Sequence, residues 1–186
     1  MQIPSSFQRV NDGSYVLGWP SGVRSELQIH AAHSGEIVGK LTGEIAQRIA
    51  EMFSDKYADK SWCYNCFGAL RFALGKVCIP NYPCEMPRVG VPTYVHDAVH
   101  TMPLPFVFQV CGNIGNGQDV YARDVVLHAG LVCGIENGEP VVFEKVCARS
   151  PRIVPFTVSN DLYFVDKSDP QCRAQYVLCA PVNKVL

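Results

Sequence analysis

The chain has 186 residues, 48% of them hydrophobic and 18% charged, so it is long enough to bury one core and too apolar to stay disordered. A net charge of −1 gives no electrostatic reason for a nucleic-acid or anionic-membrane partner, and no apolar run reaches membrane-spanning length. Nine cysteines, several inside apolar runs such as Leu131-Val132-Cys133 and Val177-Leu178-Cys179, read as reduced, buried thiols of a cytoplasmic protein rather than a disulfide framework. The start, Met1-Gln2-Ile3-Pro4-Ser5-Ser6, lacks a basic region followed by an apolar stretch, so no cleavable signal peptide is expected.

Residues 1–40 mix short β-like runs, such as Tyr15-Val16-Leu17-Gly18, with Gly, Pro and Ser turns; His30 and His33 read as exposed loop residues. A helix is expected from Leu41 to about Tyr57, with Thr42 as N-cap and Ile45, Ile49, Met52 and Phe53 on one face. Charges at Asp55, Lys56, Asp59 and Lys60 then lead into Ser61-Trp62-Cys63-Tyr64-Asn65-Cys66. After Cys66 the apolar positions Phe67, Leu70, Ala73 and Leu74 recur at helical spacing, and Gly75 supplies the stop. Cys66 therefore falls in a first helical turn, where orphan backbone N–H groups and the helix dipole favour negative charge on sulfur.

The stretch after Gly75 has no clear period and carries Pro80, Pro83, Pro87, Pro92, Pro103 and Pro105, as expected of a long loop lining a site. Within it His96 and His100 stand four apart, but Asp97 takes the place of the glutamate that a zinc-peptidase helix requires. The run from Cys111 to Gly117 is glycine-rich without the dinucleotide-binding order, and reads as a turn. Neither a metal nor a cofactor is implied.

Five candidate strands follow: Phe106–Val110, Val125–Cys133, Pro140–Cys147, Leu162–Val165 and Gln175–Cys179. Helices first and closely spaced strands after predict an α+β domain spanning residues 1–186, with N-terminal helices packed on a five-stranded antiparallel sheet. His128 interrupts an otherwise apolar central strand, and Glu144 interrupts the next one, across the turn Glu136-Asn137-Gly138. A three-residue loop pairs Ile135 with Glu139, sets Glu144 opposite Gly130 and puts both polar side chains on one face. A two-residue Asn137-Gly138 turn pairs Glu136 with Glu139 and sends Glu144 to the other face. The sequence permits both.

A cysteine at a helix start, a histidine on a later strand and a third polar residue on the next resembles the papain-like order. Asn65-Cys66-Phe67-Gly68 and His128-Ala129-Gly130-Leu131-Val132-Cys133-Gly134 resemble the motifs of the NlpC-like branch, the cell-wall peptidases and their relatives. The resemblance covers about residues 60–147; Asn65 replaces the family's usual acidic residue and Phe67 its serine. It implies a papain-like fold and a cysteine peptidase or amidase. Cys66 would be the nucleophile, His128 its base and Glu144 the third member, acting on an amide of a peptide, a protein or peptidoglycan. Tyr57 or Tyr64 would be a candidate oxyanion donor beside the Cys66 backbone N–H. A cell-wall substrate would require export without a cleavable signal peptide; a cytosolic protein substrate is equally compatible.

Two other chemistries fit part of the pattern. Trp62-Cys63-Tyr64-Asn65-Cys66 with Gly90-Val91-Pro92-Thr93 resembles a thioredoxin motif and its proline loop, which would make Cys63 and Cys66 a redox pair. Cys63, Cys66, Cys78 and Cys84 would alternatively structure a zinc-bound binding module, although the second spacing is wide for a zinc knuckle. A non-catalytic module that keeps the fold is a further possibility.

Overall fold

The computed structural model of the chain describes residues 6–7, 15–18, 25–58, 60, 63–83, 85–114, 123–146, 149–160 and 172–185. Four strands precede the first helix: β1 (Ser6–Phe7), β2 (Val16–Gly18), β3 (Glu26–His30) and β4 (Ile37–Thr42). Three helices follow, α1 (Gly43–Met52), α2 (Asp55–Ala58) and α3 (Cys66–Ala73), then β5 (Val91–Pro92) and α4 (Val95–Ala98). The remainder is β6 (Phe106–Ile114), β7 (Arg123–Glu136), β8 (Glu139–Glu144), β9 (Arg152–Pro155), α5 (Phe156–Asn160) and β10 (Cys172–Pro181).

These strands form one ten-stranded sheet in the order β1-β2-β3-β4-β7-β6-β10-β5, with β8 and β9 branching from β7. The described pairs are antiparallel. The expectation of N-terminal helices packed on a five-stranded sheet is therefore corrected: the molecule is mostly antiparallel sheet, and its helices are few and short. In β3 the alternation of Leu27 and Ile29 with Glu26, Gln28 and His30 buries every second side chain. Three of the five expected strands lie within β6, β7 and β10; Pro140–Cys147 overlaps β8, which ends at Glu144, and Leu162–Val165 falls outside the described residues. β6 also runs through Cys111 to Ile114, where a turn was expected.

The helix expected from Leu41 to Tyr57 breaks in two. Thr42 is the N-cap residue, and the chain leaves α1 at Phe53 and Ser54, where the Ser54 hydroxyl donates to the Glu51 carbonyl at 2.6 Å.

Both faces of the central strands are covered. On one, α1 and α3 pack Ile49, Leu70 and Phe72 with Leu131 and Phe143. On the other, Val95 of α4 and Phe156 of α5 pack with Phe106, Phe108, Val132 and Val142. Each such side chain contributes roughly 1.5–3 kcal/mol through burial, which explains why β7 and β8 read as near-continuous apolar runs. Where β4 crosses β7, Gly39 and Gly134 pair. A Cβ on Gly39 would lie 2.4 Å from the Cys133 carbonyl oxygen, so only glycine admits this approach. Among the described residues no helix is long and apolar enough to cross a membrane.

Candidate active site

Helix α3 is defined at both ends by its own sequence. Asn65 has an extended backbone, and its Oδ1 accepts from the Gly68 N–H at 2.9 Å, capping the first turn. At the other end the Gly75 N–H donates to the Phe72 carbonyl and the Lys76 N–H to the Arg71 carbonyl, with Gly75 at φ 71°. This pair of bonds is the Schellman closure that a glycine in the left-handed region allows. Cys66 is thus the first residue of a well-capped helix. The Asn65 amide Nδ2 also donates to the Pro83 carbonyl at 2.7 Å, and a Cβ on Gly68 would fall 1.7 Å from the Asn81 carbonyl oxygen. The proline-rich loop therefore rests directly on the helix start. Its far end is held by Gln109 of β6, fully buried, whose amide accepts from Val89 N–H at 2.8 Å and donates to the Pro87 carbonyl at 2.9 Å.

The hairpin combines the two registers. Asn137 and Gly138 have φ of 50° and 83° and form a two-residue turn, and Glu136 pairs with Glu139. That turn alone would part Glu144 from His128. A β-bulge between Val132 and Gly134 places Cys133 as an extra residue on β7, and from there Val132 pairs with Val142 and Leu131 with Phe143. The slip of one residue returns Glu144 to the His128 face. The Cys133 thiol, fully buried, donates to the Val141 carbonyl at 3.3 Å, and burial pushes its pKa up to about 12, so this thiol is a packing group.

The structure brings together the three residues that the sequence singled out. The β7–β8 ladder ends at Leu131 and Phe143, so His128 lies where β7 has parted from β8. The His128 Nε2 meets Glu144 Oε2 at 2.7 Å, and the Cys66 side chain is close enough to the imidazole to act on its ionisation. With Nε2 held by the carboxylate, Nδ1 is the ring nitrogen that can exchange a proton with the thiol. Cys66 keeps 9% exposure, while His128 has 0% and Glu144 1%. The cysteine alone retains contact with the outside.

Burial by itself would suppress the imidazolium, but the hydrogen bonds and charges of Cys66 and Glu144 reverse that effect and raise the His128 pKa to about 9. Burial would likewise raise the Glu144 carboxyl. The bond and charge of His128, the Ser159 hydroxyl and the Arg152 guanidinium outweigh it and hold the pKa at about 2. Ser159 Oγ donates to Oε2 at 2.6 Å, and Arg152 donates to Oε1 from Nε at 2.8 Å and from Nη2 at 2.5 Å. An ionised carboxylate accepts only, so the bond to it fixes the proton on Nε2.

Sequence reasoning passed over Arg152, Ser159 and Gln109. The glutamine carried a signal, being the one polar residue in Phe106-Val107-Phe108-Gln109-Val110. The Tyr64 ring, 1% exposed, packs edge-on to Tyr57 at 6.3 Å and beneath the buried Lys145 ammonium, 4.8 Å from the ring centre. Both tyrosines are buried in the core. Cys63 and Cys66 are free thiols, one exposed and one buried, and Val91-Pro92 pairs with Leu178 and Cys179. Among the described residues no group of His, Cys, Asp or Glu is arranged to hold a metal; Cys84 falls outside them. His96 pairs with Glu139 at 2.9 Å, and His30 lies in β3 with Nδ1 2.8 Å from the Gly35 carbonyl oxygen, not in a loop.

Comparison with known proteins finds no matching family model, no matching curated protein and no matching solved structure.

Proposed function

We propose that the protein is a cysteine peptidase or amidase that attacks an amide carbonyl with Cys66, using His128 as base and acid and Glu144 as its anchor. The observation that carries this reading is the grouping of thiol, imidazole and carboxylate, with Cys66 its least buried member. The thiol's proton already rests on the His128 imidazolium, in a thiolate–imidazolium pair; Sγ bonds to the carbonyl carbon, and the imidazolium gives its proton to the departing nitrogen. Water then adds to the thioester, His128 accepts its proton, and Cys66 leaves as the restored thiolate. Glu144 stays ionised throughout, fixing the ring and offsetting its charge. As first residue of α3, Cys66 has a backbone N–H with no acceptor inside the helix, a ready donor to the carbonyl oxygen as it becomes negative.

The substrate class is an amide of a peptide, a protein or peptidoglycan; deamidation and acyl transfer share the thioester intermediate. The protein would act in the cytoplasm or after export without a cleavable signal peptide. A nucleic-acid partner is disfavoured by the near-neutral charge.

Site-resolved iodoacetamide labelling read by mass spectrometry tests this. At mildly acidic pH and limiting reagent, Cys66 labels ahead of the exposed Cys63 and Cys78. His128→Ala slows Cys66 by roughly a hundredfold or more, within the range of a lost general base. Preferential labelling of Cys63, or a Cys66 rate indifferent to His128→Ala, would refute the assignment.

A further inference from the structure

We infer that Arg152 and Ser159 are positioning residues of the Cys66–His128 pair: together they fix both oxygens of Glu144, so that one oriented oxygen faces the imidazole and the carboxylate's charge is shared with a guanidinium. The inference rests on the Cys–His reading above and adds two residues to it.

The geometry leaves the carboxylate no freedom. Oε1 takes two N–H groups of Arg152, and Oε2 takes His128 and Ser159 together. Arg152 stands directly opposite Glu144 across the β8–β9 ladder, so register alone delivers it. Ser159, fully buried, comes from α5, which is tied to the histidine by a chain of rings. Phe156 packs edge-on to Phe108 at 5.4 Å, and Phe108 lies 5.9 Å from the His128 ring. The charged groups about Glu144 are thus His128 from β7, Arg152 from β9 and Lys145 next to it in the chain, with the Cys66 thiol beyond the imidazole.

This arrangement adjusts strength as well as direction. A buried carboxylate that gave its whole charge to the imidazole would hold the imidazolium too firmly for it to release a proton to a leaving nitrogen. A guanidinium on the far oxygen draws part of that charge away. Ser159, donating to the same oxygen as His128, sets the direction from which the ring must approach.

The test follows the imidazole itself, in the full chain uniformly labelled on histidine nitrogen, with His128→Ala assigning the resonance. Arg152→Met raises the His128 titration midpoint by about half a pH unit or more, because a nearby positive charge is lost. Arg152→Lys keeps the charge and stays near wild type. Ser159→Ala is small enough to leave the fold intact and lowers the Cys66 alkylation rate about fivefold, the weight of one modest hydrogen bond. An unmoved midpoint in Arg152→Met together with wild-type alkylation in Ser159→Ala would overturn the inference while His128→Ala still slowed Cys66. If His128→Ala also left Cys66 unchanged, the Cys–His reading itself would fall with it.

Discussion

At the scale of single residues, Glu144 is held from several sides. It is 1% exposed, and it accepts from a histidine, an arginine and a serine drawn from three separate elements. Replacing one partner of such a cluster leaves the others buried and unsatisfied, which is costlier than the net worth of the cluster. In Glu144→Gln the amide must turn an N–H toward either Arg152 or His128, both of them donors. The expected loss is about 3 kcal/mol of unfolding free energy near neutral pH, read from urea denaturation. A loss below about 1 kcal/mol would mean that the cluster contributes little more than one ordinary hydrogen bond. Glu144 and His128 were legible because each breaks an apolar run. Arg152 was not, since Arg-Ile-Val-Pro reads as a short strand end whose partner is set only by the fold.

At the scale of elements, the start of α3 depends on a contact that helix propensity would misjudge. Gly68 lies inside the helix, where Ala is favoured over Gly by about 1 kcal/mol. A Cβ there meets the Asn81 backbone, which has no flexible end to yield. Overpacking of this kind costs about 1–3 kcal/mol and outweighs the propensity gain. Gly68→Ala is therefore expected to destabilise, and to raise amide hydrogen exchange over residues 80–83 as the loop lifts from the helix. Stabilisation with unchanged exchange would contradict the close contact. The helix itself was readable from Phe67, Leu70, Ala73, Leu74 and Gly75. The hairpin was readable only as a choice of two registers, because a bulge announces itself by no residue type; Cys133 looks like any other apolar position in Leu131-Val132-Cys133. β2 falls in the β-like run Tyr15-Val16-Leu17-Gly18, whereas β3 and β4 were not singled out because runs of five or six residues bury their alternate side chains only once neighbours are in place.

At the scale of the whole molecule, the sheet binds the candidate site to global stability. Its central strands are covered on both faces, and the site lies where β8 parts from β7 and the start of α3 reaches His128. The ionisation of His128 is thus linked to unfolding. Its folded pKa, about 9, stands above the ordinary value of 6.5. A group raised in this way contributes stability that is complete below the unfolded pKa and is lost as pH rises through the folded one. Glu144 works at the opposite end: held at about 2 against 4.5, it contributes stability above the unfolded value and loses it as pH falls through the folded one. Between these limits neither group changes its contribution. The difference in unfolding free energy between wild type and His128→Asn should accordingly be flat from about pH 5 to 6.5 and shrink steadily toward pH 9. Taking the difference removes the titration of groups that do not interact with His128. A difference that stays flat through pH 9, or one that grows, would show that the imidazole is not held in its charged form by Cys66 and Glu144. The proton route drawn from those contacts would then have to be abandoned.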